Sequence, residues 1–277
     1  MTTLLVSAHN IDARDPRHLS RALEDLASGL GGWRLAWALA RLDLRNRYRG
    51  SVIGPFWMTL STAVMLLGLG FLYARLFNIS VAEYLPHLAV SLIVWNIIAG
   101  LVGEACTALT SAEGVIRQVR LPYTVHALRC VFRNLLTAAH NLPLILVVFL
   151  LLGHWPGLEA LLIIPGLALF AVNALAACLF LGMVCARFRD IGPIVGSIMQ
   201  LAFFLTPVIW KPELAGTWRP WLPLNPFFAV METIRGPLVD GGGSLTGWLA
   251  AVLYTAAAVA LAFGFFVRFR GRVAFWV

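Results

Sequence analysis

Long apolar runs dominate the chain after residue 51, whereas short amphipathic stripes are confined to its beginning. Six runs predict membrane-spanning helices, because ~20 residues rising ~1.5 Å each cross a hydrocarbon core of ~30 Å. Helices satisfy their own backbone hydrogen bonds in lipid, and the alternating segments of a membrane β-barrel are absent from the sequence. The predicted spans cover residues 52–77, 85–109, 126–152, 158–186, 192–210 and 245–268.

The first 50 residues predict a cytoplasmic segment of two short helices. One face of the first helix, which ends at Gly31 and Gly32, carries Leu19, Leu23, Leu26 and Leu30. The second helix has apolar residues Trp33, Trp37, Ala40, Leu44 and Tyr48 beside basic residues Arg34, Arg41, Arg45 and Arg49. Indoles at headgroup depth and arginines on phosphates are typical of an amphipathic interface helix on the cytoplasmic leaflet. An ordinary basic flank of the first span is the open alternative.

Residues 211–240 are too polar and too rich in proline to span a membrane, yet they hold several aromatic residues. This composition predicts short re-entrant or outer-leaflet helices before the last span. The predicted fold is therefore an all-α membrane protein with six transmembrane helices and an N-terminal amphipathic interface helix. Its predicted domains are a segment 1–50 and a transmembrane domain 51–277.

The net charge of +8 reflects membrane topology rather than nucleic-acid binding. Seventeen of the 21 Lys and Arg residues fall on one side of the predicted spans, a strong positive-inside bias. We therefore expect both termini in the cytoplasm, a bacterial inner-membrane location, membrane lipids as partners and no nucleic acid. Charges follow Met1 to Ser7 at once, so no secretory signal is predicted there.

The sequence offers no catalytic constellation and no energy source of its own. It lacks a phosphate-binding GxxxxGK[ST] loop, zinc-protease and nucleophile-elbow motifs, and a set of metal-binding carboxylates. The four cysteines lie in or beside apolar runs and predict packing residues, as does His140. Glu104 is expected to pair with Arg129 or Arg133 on the next span. We thus expect no bound cofactor, no metal and no enzymatic activity in this chain, with ATP supplied through a partner.

A contact for such a partner is predicted in residues 111–124. A short apolar face beside two arginines, ended by a proline, can enter a groove on a soluble protein. The residues concerned are Val115, Ile116, Arg117, Val119, Arg120 and Pro122.

Four stretches resemble the signatures of ABC-2-type transporter permeases. They are 37–57 (WALARLDLRNRYRGSVIGPFW), the coupling helix at 115–122, 187–191 (RFRDI) with 203–210 (FFLTPVIW), and 225–226 (NP) with 232–235 (ETIR). The resemblance covers residues 35–277 and is closest to permeases for O-antigen, capsule or teichoic-acid chains. It implies a homodimer with two copies of a cytoplasmic ATPase subunit, which binds ATP and Mg and moves the two halves through the coupling helices. Residues 1–32 are an N-terminal stretch that the shortest members of the family lack.

The aromatic content, ten Trp and 17 Phe, fits a path for a lipid-linked glycan, because flat rings stack on sugars without tight binding sites. Helix packing and interfacial belts explain any single ring equally well. Candidate path residues are Trp57, Tyr73, Trp95, Phe203, Phe204 and Trp210. Arg45, Arg47 and Arg49 are candidates for contact with a lipid pyrophosphate or with lipid headgroups.

The function predicted from these observations is the permease subunit of an ATP-driven exporter of lipid-linked polysaccharide. The alternatives left open are an exporter of drugs or lipids with the same fold, a channel or secondary transporter working alone, and a membrane enzyme acting on lipid-linked sugars.

Overall fold

A computed structural model describes residues 18–54 and 56–277, and every regular element within these ranges is helical. Five helical stretches there are long and apolar enough to cross a membrane, which confirms the all-α membrane fold. They are Phe56–Leu76, Val81–Cys106, Tyr123–Leu152, Leu158–Arg187 and Leu245–Trp276. The prediction about a secretory signal concerns residues 1–17, which lie outside the described residues.

The α-helices of the described residues are α1 (His18–Gly31), α2 (Trp33–Arg47), α3 (Phe56–Leu76), α4 (Val81–Cys106), α5 (Glu113–Gln118), α6 (Tyr123–Ala139), α7 (Leu142–Leu152), α8 (Ile163–Arg187), α9 (Ile191–Leu205), α10 (Pro226–Val239), α11 (Leu245–Phe269) and α12 (Val273–Trp276). Short 3₁₀ helices cover Thr110–Ala112, Leu158–Leu162, Pro212–Leu224 and Arg270–Arg272.

Helix α4 is the centre of the molecule. It packs against α3, α6, α7, α8, α9 and α10, and most of its length is buried. Its first turn is capped by Ser80, whose hydroxyl accepts a hydrogen bond from the Glu83 N–H. The contact with α3 is close at Gly70, where an added Cβ would lie 2.2 Å from Leu85 Cδ1. Any larger residue at Gly70 would therefore require the Leu85 side chain to shift.

Two predicted spans differ in detail from the structure. The third consists of α6 and α7, separated at His140 and Asn141, and Pro143 stands in the first turn of α7, where a missing N–H costs nothing. The fifth is the helix α9, which ends before Pro207 and has only 15 residues. That length falls short of the ~20 residues that a perpendicular span requires, so a sixth crossing stays a prediction.

The N-terminal segment forms the two predicted helices, α1 and α2, but the packing face of α1 is not its leucine face. Ala22, Asp25 and Gly29 are buried, whereas Leu19 and Leu23 are about half exposed. Small residues in the contact allow α1 to lie close to α6 and α11. Helix α2 packs along α6 through Ala36 and Ala40.

Residues 211–240 form the predicted short helices. The 3₁₀ stretch Pro212–Leu224 is kinked at Gly216, whose φ of 55° suits glycine. Helix α10 follows and is capped by Asn225, whose side-chain oxygen accepts from the Phe227 N–H at 2.9 Å. Helix α10 packs against α4, α8 and the start of α11. Its depth in the membrane stays a prediction.

Candidate functional site

The predicted partner contact lies in the loop between α4 and α6, called here the 110–122 loop. Helix α5 is one and a half turns long, and Glu113 and Arg117 form an i,i+4 ion pair of 2.8 Å along it. Ile116 packs towards the core, while Val119 lies beyond the helix in an extended conformation and is 50% exposed. The predicted apolar residues are therefore split, with Val119 outermost.

A groove of about 490 Å³ runs between the 110–122 loop, α1 and the end of α11. Five of the six residues predicted for the partner contact line it, namely Ile116, Arg117, Val119, Arg120 and Pro122. Six arginines face two carboxylates in this groove, which makes it electropositive. The arginines are Arg21, Arg117, Arg120, Arg268, Arg270 and Arg272, and the carboxylates are Glu24 and Asp25.

Asp25 is a residue of this region that the sequence interpretation missed. Its carboxylate accepts hydrogen bonds from the backbone N–H groups of Tyr123 and Thr124, at 3.2 and 3.1 Å, and from the Thr124 hydroxyl at 2.8 Å. Arg270 Nε donates a further bond of 2.8 Å. The sequence contained a signal for it, because Ala22, Asp25 and Gly29 share one face of the helix. Small residues on both sides of an acid allow a neighbouring helix to approach that acid closely.

A second charged network joins α2, α4 and α6 at the same end of the molecule. Glu104 accepts from Arg133 at 2.9 Å, which confirms the predicted pairing, and from Arg47 at 2.8 Å. Asp43 binds Arg129 at 2.5 Å and Arg133 at 3.1 Å. Burial alone would raise the pKa of the Asp43 carboxyl, but the two guanidinium groups hold that pKa below its ordinary value. Arg47, one of the three candidates for phosphate contact, is thus bound to Glu104 of the protein itself.

Arg45 and Arg49, the other candidates for phosphate contact, are exposed beside this network. Arg45 lies in the last turn of α2, and Arg49 lies between α2 and α3. Both are thus at the end of the molecule that carries the 110–122 loop, called here the loop end. Exposure at that place leaves both guanidinium groups open to an anionic headgroup.

The candidate path residues fall into two groups. Trp95 is buried and its ring lies 5.7 Å from that of Phe203, whose neighbour Phe204 is 67% exposed. Trp210 joins them by donating from its indole N–H to the Phe204 carbonyl at 3.3 Å. Trp57 and Tyr73 lie apart on α3. Trp95 and Phe203 therefore lie between α4 and α9, whereas the neighbouring Phe204 ring faces outward and Trp210 is joined to Phe204 through its backbone carbonyl.

The opposite end of the molecule holds a buried cation within residues 211–240, where the sequence predicted short re-entrant or outer-leaflet helices. Arg235 on α10 is completely buried, pairs with Glu232 and donates to the Pro207 carbonyl at 2.8 Å. Its Nε faces an oxygen of Asp240 at 3.4 Å. Burial raises the pKa of the Asp240 carboxyl despite the opposing effect of Arg235. The i,i+3 spacing of Glu232 and Arg235 in an apolar helix was the available signal.

The long apolar helices define a multi-pass helical membrane protein, with a basic groove and a short helix in the loop after the second span at one end. Residues 34–239 match the family model of the ABC-2 type transporter, which spans most of the chain. The chain therefore belongs to the ABC-2 type transporter family.

Two relatives carry the same description, O-antigen export system permease protein RfbA. The chain is 29% identical over 207 residues to the protein of Myxococcus xanthus. The aligned region covers 72% of this chain and 77% of that protein. It is 22% identical over 206 residues to a protein of Klebsiella pneumoniae, covering 72% and 78% of the two chains. Most of the length of these permeases is thus shared.

Proposed function

We propose that this chain is the permease subunit of an ATP-driven exporter that moves lipid-linked polysaccharide, of O-antigen, capsule or teichoic-acid type, across the bacterial inner membrane. The observation that carries the proposal is the similarity, over about three quarters of each chain, to permeases described as exporting O-antigen. In the proposed orientation the 110–122 loop and both termini face the cytoplasm, in agreement with the positive-inside bias.

A cytoplasmic ATPase subunit binds the 110–122 loop in this proposal. The exposed Val119 and the basic groove beside it offer one apolar contact and an electropositive rim, which suit an acidic surface on the partner. ATP and Mg bind to that subunit, since this chain contains no phosphate-binding GxxxxGK[ST] sequence. Two copies of this chain act with two copies of the ATPase.

The glycan path follows the aromatic set of Trp95, Phe203, Phe204 and Trp210. Phe204 belongs to an exposed apolar stripe of α9 with Ile194, Ile198 and Leu201. A second copy of the chain facing that stripe would put the exposed Phe204 ring at the boundary between subunits. The exposed Arg45 and Arg49 lie at the loop end, where the lipid pyrophosphate of the substrate would enter.

The decisive experiment is reconstitution with an ABC-type ATPase subunit from the same organism. We expect co-purification of the two subunits, ATP hydrolysis stimulated by lipid-linked glycan, and accumulation of cell-internal glycan when the gene is deleted. An ATPase variant without catalytic activity is the control and should abolish export without disrupting assembly.

The alternatives predict different results. Stimulation by small hydrophobic drugs or free lipids, with normal surface glycan in the deletion strain, would favour an exporter of those compounds. Transport by the purified chain without ATP or a partner would favour a channel or secondary transporter.

A further inference from the structure

We infer that Asp25 is a positioning residue that ties the exit of the 110–122 loop to the segment after the last span, so that movement of the loop reaches α6 and α11 together. The inference rests on the proposed function, because it assigns α1 a part in transmitting the action of an ATPase subunit. It gives a role to a helix that precedes the region matched by the family model.

Helix α6 begins without a capping side chain from the residue that precedes it. The residue before it is Pro122, which makes no side-chain capping bond, so the first N–H groups of α6 need acceptors from elsewhere. Asp25 of α1 accepts from two of them, at Tyr123 and Thr124. A carboxylate at a helix N-terminus is also favoured by the helix dipole. The place where the 110–122 loop becomes α6 is therefore fixed by α1.

The same carboxylate holds the end of the last span. Arg270, directly after α11, donates to Asp25 Oδ2, the oxygen that also accepts from Tyr123. Asp25 is only 3% exposed, and charge-assisted hydrogen bonds in such surroundings are strong. One buried side chain thus connects α1, α6 and the segment after α11.

Two further contacts make the connection stiff. An added Cβ at Gly29 would lie 2.4 Å from Thr124 Cβ, so α1 and the first turn of α6 are already in close contact. Arg117 of α5 donates to the Val277 carbonyl at 2.7 Å, a second link between the loop and residues 270–277. A displacement of the 110–122 loop therefore cannot move α6 alone while these contacts persist.

A helix that merely stabilises the fold would show the same contacts, so the test needs readouts that stability alone does not move. The first is hydrogen exchange on the purified chain in nanodiscs. In Asp25→Ala, the amides of Tyr123 and Thr124 and those of residues 270–277 should exchange faster together. Glu213→Ala, which removes one partner of an exposed ion pair with Arg219, is the control and should change neither segment.

The second readout is glycan-stimulated ATP hydrolysis per assembled complex with the ATPase subunit. Asp25→Ala should assemble normally and lose stimulation by about two- to thirty-fold, the range that coupling residues typically produce. Thr124→Val removes the hydroxyl hydrogen bond to Asp25 and Arg270→Gln removes the charged donor, so both are milder variants if Asp25→Ala does not accumulate. Arg270→Lys keeps the charge and should restore most of the stimulation that Arg270→Gln loses.

Each outcome decides a specific question. Unchanged exchange at 270–277 in Asp25→Ala, or in both milder variants, overturns the tie. Coordinated exchange with unchanged stimulation per complex overturns its part in transmission. Failure of the wild-type chain to bind an ATPase or respond to glycan refutes the proposed function instead, and the exchange measurements then still decide whether Asp25 ties the three segments.

Discussion

Phe203 and Phe204 are neighbours in sequence, yet their rings have different surroundings. Phe203 packs on Trp95 between α9 and α4, whereas Phe204 points out of the described chain and is 67% exposed. A ring that packs helices contributes to stability, and a ring that lines a path contributes to transport. The two positions therefore separate these explanations better than either alone.

We expect Phe204→Ala to slow export by about two- to ten-fold, the equivalent of one lost stacking contact. Its thermal stability should stay close to wild type, because an exposed ring leaves no cavity. Phe203→Ala should instead lower stability by about 1–3 kcal/mol, less than a fully buried phenylalanine would cost. Surface glycan, protein abundance and melting temperature are measured in parallel. Wild-type export in Phe204→Ala would remove this ring from the path.

Arg235 illustrates the cost of a buried charge at the opposite end of the molecule. Arg235→Ala would leave Glu232 buried without its cation and should destabilise the protein by about 3–5 kcal/mol. The double variant Arg235→Met with Glu232→Leu removes both charges and should recover most of that loss. Melting temperatures of the purified single and double variants check this expectation. A double variant as unstable as the single one would mean that the pair is needed for more than mutual neutralisation.

At the scale of elements, the 110–122 loop combines a residue that packs inward with one that faces outward. An aspartate at the exposed Val119 should leave the fold intact but weaken binding of the ATPase subunit, because a carboxylate would be desolvated on docking. An aspartate at Ile116, which contacts the core, should lower stability as well. Partner co-purification and melting temperature distinguish the two. Normal partner binding by Val119→Asp would exclude this loop as the docking surface.

The elements themselves were largely predictable from hydrophobic patterning, because lipid requires long apolar helices with internal hydrogen bonds. Helix α9 was predicted too long, since apolar residues continue through Pro207 to Trp210 although the helix ends at Leu205. The leucine stripe of α1 and the face shared by Ala22, Asp25 and Gly29 were both readable, but the spacing did not show that the second face is the buried one. Contacts such as Asp25 with Thr124 join residues almost a hundred positions apart, and no periodicity reports them.

The whole molecule is polarised by charge. One end carries the 110–122 loop, the basic groove and the network of Glu104 and Asp43, whereas the other end carries Arg235 and the short helices before α11. Burial of Arg235 removes one cation from the side predicted to be external, which strengthens the asymmetry of exposed positive charge. The orientation proposed above therefore depends on exposed arginines at the loop end.

That orientation predicts which ends of the protein a membrane-impermeant thiol reagent can reach. Thr217, in the 3₁₀ stretch before α10, and Ser111, in the 110–122 loop, are both exposed. The four native cysteines are buried and are replaced by alanine to remove background labelling. In intact spheroplasts, Thr217→Cys should be labelled at once, whereas Ser111→Cys should be labelled only after permeabilisation. The reverse pattern would invert the topology, and would place the 110–122 loop where no cytoplasmic ATPase could bind it.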